Sequence, residues 1–152
     1  NWQSRGWIRG LNNANHQDTK GTKMHREIPE DLDDLAKLVV DAAFKVHKAL
    51  GAGLLESAYQ TCLEIELQMR GVGFLSQHLV PICYEGVFIE GVYRIDLLVG
   101  DQLAVELKSV DQLLPIHTAQ LLTYLRLSCN SLGLLINFNT PLIKDGIKRI
   151  AL

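Results

Sequence analysis

The chain has 152 residues, 47% hydrophobic, 21% charged and 7% aromatic, with a net charge of −2. That length supports one domain with a real core and excludes two of ordinary size, and the composition excludes a low-complexity chain. The weak negative charge excludes a global electrostatic pull toward nucleic acid or an anionic membrane, so an anionic partner needs local cations or a metal to hold it.

Residues 1 to 23, "NWQSRGWIRGLNNANHQDTKGTK", are rich in Asn, Gly, Gln and Lys and carry no apolar period. With the next few residues they form an expected N-terminal extension over 1–27, disordered or loosely docked, ahead of a single domain at 28–152. Met24 is a candidate native start. This end lacks the basic-then-apolar order of a secretory signal, and no apolar run reaches the roughly 18 residues that span a bilayer, so the expected location is the cytoplasm.

From Pro29 the pattern becomes helical. Acids occupy the first turn, Leu32, Leu35, Leu38, Val39, Ala42, Ala43, Val46 and Leu50 recur at helical spacing, and Gly51 is the stop. A second helix is expected from about Leu54 to Gly71, with Ala58, Cys62, Ile65 and Met69 as its apolar repeat. Three strand-like stretches follow, "FLSQHLVPICYEG", "VFIEGVYRIDLLVG" and "QLAVELKSV", broken by Gly86, Gly91 and Gly100 as in an antiparallel meander. "LPIHTAQLLTYLRLSCN" reads as a helix with Pro115 in its first turn, and "LGLLINF" as a strand buried on both faces. The tail "PLIKDGIKRIAL" fits either a short helix or an edge strand. This order gives an α/β fold, a mixed sheet flanked by helices.

Cys62, Cys83 and Cys129 are odd in number and form no C-x-x-C pair. That argues against a disulfide framework, a structural zinc site or an iron–sulfur cluster, and for reduced thiols in the core.

The chemistry centres on "RIDLLVGDQLAVELKSV", Arg94 to Val110. If Gly100 to Gln102 form a three-residue loop, Asp96 lies opposite Glu106, and alternation sends both acids and Lys108 to one face while Val105 and Leu107 point away. A two-residue turn would break this pairing. Two close carboxylates repel unless one is protonated or a cation lies between them, and a hard divalent ion such as Mg²⁺ suits oxygen ligands. On spacing alone, V-E-L-K fits the solvated face of an antiparallel sheet at least as well.

These residues resemble the PD-(D/E)XK nuclease superfamily, whose signature is an acid on one strand and acid-x-Lys on the next. "GLLESAY", Gly53 to Tyr59, matches the pattern that names the GxxExxY family of that superfamily, and "VHKALGAGLLESAY", "YRIDLLV", "VELKSV", "HTAQLLTYLRL" and "IKDGIKRI" also look like that family. The resemblance implies a restriction-endonuclease-like core and a nuclease dependent on Mg²⁺ or Mn²⁺. In it, Asp96, Glu106 and the Leu107 carbonyl bind metal, Lys108 assists the attacking water, and Glu56 is a third acid braced by Tyr59. Gln120 and Tyr124 look like a Q-x-x-x-Y pair that positions the substrate strand. His47 is a further metal-ligand candidate. His117 fits a helix's first turn better than a phosphate contact. Lys144, Lys148 and Arg149 form a basic cluster near the C-terminus. The implied partner is nucleic acid, DNA in first place, with no membrane association, and a homodimer is compatible with the chain's size. Ile95 stands where the superfamily is named for Pro. A nuclease-like binding or interaction module with weak or no catalysis is the alternative, motivated by the negative charge and the lack of a basic stripe.

Overall fold

The computed structural model describes residues 30–152, so the extension expected over 1–27 lies outside the described residues. Two helices come first, α1 (Glu30–Leu50) and α2 (Glu56–Met69). The strands β1 (Phe74–Tyr84), β2 (Val87–Val99) and β3 (Leu103–Lys108) follow, then α3 (Pro115–Ser128), β4 (Leu132–Asn137), a 3₁₀ turn at Ile143–Gly146 and β5 (Ile147–Ala151). The tail is thus both of the alternatives its sequence allowed.

The five strands form one sheet in sequential order, β1-β2-β3-β4-β5. All neighbours are antiparallel except β3 and β4, which run parallel because α3 crosses between them. All six residues of β4 are buried, as its continuous apolar run requires. Among the described residues no helix is long and apolar enough to cross a membrane.

Each sheet face is covered by helices. On one face, Leu32, Ala36, Val39, Ala43 and Val46 of α1 and Leu63 and Leu67 of α2 pack on Leu97, Val105, Leu107, Leu134 and Ile136. On the other, Leu121, Tyr124 and Leu125 of α3 pack on Ile95, Leu98, Ala104 and Leu135. The buried stripe of α2 is Tyr59, Leu63 and Leu67, whereas Ile65 and Met69 of the expected repeat are exposed. Packed beside α1 on the same sheet face, α2 buries only an i, i+4 stripe. The three cysteines are free, as expected, but only Cys62 is even half-buried. Cys83 lies near the outer end of the long β1–β2 hairpin, and Cys129 is the left-handed C-cap of α3.

Candidate metal centre

The hairpin between β2 and β3 sets the position of two acids. Its register pairs Leu97 with Val105, Leu98 with Ala104 and Val99 with Leu103, which leaves a three-residue loop, Gly100 to Gln102. Gly100 and Asp101 both have φ of 58°, a conformation in which Gly and Asp are the least strained choices. Continuing the register puts Asp96 opposite Glu106. The Leu107 N–H closes the arrangement by donating to Asp96 Oδ2 at 2.8 Å.

Asp96 is reached by an interruption of strand alternation. Ser76, Leu97 and Val99 face α2 and the first core, whereas His78, Val80 and Ile95 face α3. The change of face falls on Gln77 of β1 and Asp96 of β2, which stand opposite each other between the pairs Ser76–Leu97 and His78–Ile95. Gln77 takes a left-handed φ of 51°, and its Nε2 donates to Asp96 Oδ1 at 3.2 Å and to Gln60 Oε1 at 2.6 Å.

The third acid comes from the first residue of α2. Gly53, at φ of 100°, lets the α1–α2 loop turn sharply, and Leu55 is extended, so the helix begins at Glu56 rather than at Leu54. Tyr59 is fully buried, stacks on Phe138 with centroids 4.5 Å apart, and fixes this loop through its hydroxyl. That hydroxyl donates to the Gly51 carbonyl at 2.6 Å and accepts from Leu54 N at 3.1 Å. Ser109, just past β3, donates to the Leu54 carbonyl at 2.6 Å and ties the loop to the strand that carries Glu106 and Lys108.

Glu56, Asp96 and Glu106 converge. Each offers a carboxylate oxygen, and the three lie within 4.8 Å of one another. Lys108 Nζ is 3.3 Å from Glu106 Oε1, both half-buried. Burial, then the neighbouring Asp96 charge, pushes the Glu106 carboxyl up to about 7, against the pull of Lys108. The same two causes raise Glu56, opposed by Lys108 and Arg94. Three carboxylates, two of them raised by burial and by the Asp96 charge beside them, fit a hard divalent cation, which prefers oxygen ligands.

The other candidates divide. Exposed Gln120 lines a cleft of about 210 Å³ with Glu106, Tyr93 and Arg94. Tyr124 lies beneath that surface, fully buried, and its hydroxyl shares a hydrogen bond of 2.8 Å with His78 Nδ1. Burial raises the Tyr124 phenol and lowers the His78 imidazole, so both are neutral, and Tyr124 is held away from any strand in the cleft. Tyr59 serves the loop rather than touching Glu56. His47 does not join the acids: its Nε2–H donates to the Thr140 carbonyl at 2.8 Å. His117 Nδ1 accepts from Leu114 N at 3.0 Å and caps the start of α3. The basic cluster is split, because Arg149 turns to Asp33 of α1 at 2.5 Å.

Several neighbours of the site escaped the sequence reading. Gln60 and Gln77 secure Asp96, Ser109 ties the Glu56 loop, and Arg94 makes no ion pair among the described residues. A polar Gln within the apolar run "FLSQHLV" was the available signal. Asn137, buried at the end of β4, accepts from Val110 N at 3.1 Å and donates to the Val110 carbonyl at 2.9 Å, fastening the chain just beyond Lys108.

A family model described as the PD-(D/E)XK nuclease superfamily matches residues 33–150. The chain belongs to that superfamily. No curated protein and no solved structure matches the chain. In this PD-(D/E)XK domain the five-stranded mixed sheet between helices is the expected restriction-endonuclease-like fold, and the superfamily's general use of divalent metals agrees with an acidic, all-oxygen cluster.

Proposed function

We propose that the protein is a divalent-metal-dependent nuclease of the GxxExxY group that hydrolyses phosphodiester bonds in DNA. The observation that carries this reading is the convergence of Glu56, Asp96 and Glu106 within 4.8 Å, with Lys108 3.3 Å from Glu106. Asp96, Glu106 and Glu56 would hold Mg²⁺ or Mn²⁺, with the Leu107 carbonyl as a further oxygen donor. Such an ion, when bound, lowers the pKa of water and stabilises negative charge on a phosphoryl oxygen.

The chain's own groups do the rest. Lys108 presents three N–H donors and a full charge to the attacking water and to the oxygens on which charge builds in the transition state. Arg94 and Gln120 line the adjoining cleft, where the guanidinium, in no ion pair among the described residues, would meet a phosphate next to the scissile one. At about 210 Å³ the cleft is smaller than the roughly 300–1,000 Å³ of pockets that enclose a whole small ligand, so it suits one unit of a polymer. Tyr59 and Tyr124 act at one remove, through the loop before Glu56 and through His78.

Purified protein incubated with DNA and with RNA in Mn²⁺ tests the reading. Lys108→Ala should lower cleavage by roughly a hundredfold or more while leaving Mn²⁺ binding measurable. Cleavage that survives both Lys108→Ala and Glu106→Ala would come from another site and end the proposal. Calorimetry with Mn²⁺ separates a nuclease from a nuclease-like binding module, which has no need to take metal at Asp96 and Glu106.

A further inference from the structure

We infer that Gln77 is a positioning residue for the acidic cluster: its left-handed backbone and its side-chain amide together hold the Asp96 carboxylate toward Glu106 and Glu56. The inference rests on the reading of that cluster as a metal site.

Three observations coincide at this residue. Gln77 has φ of 51° inside a strand, where a residue with a Cβ is strained, and it is neither Gly nor Asn. It stands opposite Asp96 at the point where β1 and β2 both change the face they present, Ser76 and Leu97 on one side of the sheet, His78 and Ile95 on the other. Its amide then donates to Asp96 Oδ1, while the Leu107 N–H donates to Oδ2.

The geometry gives the strained residue a task. In an unbroken strand, Asp96 would alternate regularly with Ile95 and Leu97, and those two would share one face. The slip at Gln77 and Asp96 instead assigns Ile95 to the α3 core and Leu97 to the α1–α2 core, leaving the carboxylate at the boundary between them. Two neutral donors, one on each oxygen, orient it there without neutralising its charge. Gln60 braces the far side, accepting from Gln77 at 2.6 Å and reaching the Asp96 carbonyl at 3.4 Å. Gln60 is one helical turn after Glu56, so the helix that begins with Glu56 also braces Gln77 and Asp96. Groups that orient ligands in this way typically change metal affinity 10–100-fold when removed.

Two variants separate positioning from folding. Gln77→Ala removes the amide and keeps the strained backbone, whereas Gln77→Gly removes the amide and relieves it. Mn²⁺ affinity by calorimetry should fall roughly 10–100-fold in both. Amide hydrogen exchange at Leu107, measured without metal, should accelerate at least about tenfold in both as its Asp96 acceptor loosens. The urea midpoint of Gln77→Gly should equal or exceed that of the native sequence. Unchanged Leu107 exchange or unchanged Mn²⁺ affinity in the two variants would overturn the inference. So would a Gly variant whose stability falls in step with its binding, the mark of a merely structural residue. A native protein that takes up no Mn²⁺ would sink the metal reading instead, and Leu107 exchange would still decide the role of Gln77.

Discussion

Replacing Glu106 by Gln should stabilise the metal-free fold while abolishing the proposed site. In the folded protein the Glu106 carboxyl is raised from 4.5 to about 7, first by burial and then by Asp96. The native state therefore binds its proton more tightly than the unfolded chain. Stability from this group is fully present below about pH 4.5 and is lost as pH rises through about 7. At about 1.4 kcal/mol per unit, that loss is at most about 3 kcal/mol near pH 8, and below about 1 kcal/mol near pH 5. Gln keeps the shape of the protonated acid and has no proton to lose, so E106Q should exceed the native protein by these amounts. Urea unfolding in EDTA at the two pH values reads the difference directly. Mn²⁺ at about 1,000 times Kd should then reverse the ranking, because about 4.1 kcal/mol accrues to the native sequence and none to the variant. An E106Q protein no more stable than native near pH 8, or one with the same gain at both pH values, would refute the burial argument.

The same shift sets the pH dependence of metal binding: Mn²⁺ affinity should fall about tenfold per unit as pH drops below about 7, and calorimetry showing a flat profile would remove Glu106 from the ligand set. Tyr59→Phe keeps the stack on Phe138 but loses the bonds to Gly51 and Leu54. It should cost about 1 kcal/mol in thermal unfolding, with a larger proportional loss of Mn²⁺ affinity as the loop before Glu56 loosens. Gly146→Ala puts a Cβ 2.1 Å from the Asn137 carbonyl oxygen, which is backbone and cannot step aside, so unfolding should show at least about 2–3 kcal/mol of destabilisation.

How much of this was legible depended on whether the signal was local. The doubly buried β4 followed from a continuous apolar run, and the three-residue loop at Gly100 to Gln102 was one of two turn lengths the sequence left open; both stand in the structure. With them came the meeting of Asp96, Glu106 and Lys108. Regular alternation, however, would have delivered Asp96 by a route the chain does not take, because a left-handed Gln in a strand has no signature in composition. Tyr59 was placed near Glu56 by helical spacing, but spacing cannot tell which way a buried hydroxyl turns. His47 looked like a ligand because its type can bind metal, and only the fold brings Thr140, 93 residues away, to its Nε2. Arg149 likewise met Asp33 across 116 residues and left the basic cluster it seemed to belong to.

Asn137 gives the end of β3 a property that neither helix nor sheet supplies. By engaging both peptide groups of Val110, its side chain acts as one more rung of backbone just past the end of β3. The chain from Asp111 to Leu114 lies beyond that latch, between Lys108 and the first turn of α3, with Asp111 bonded by Asn139 and Leu113 packed on the core beneath α3. Between that segment and the lysine stand the two bonds of Asn137. The strand end that carries Glu106 and Lys108 is thereby fastened on its own account, by a side chain from β4 rather than by the connection into α3.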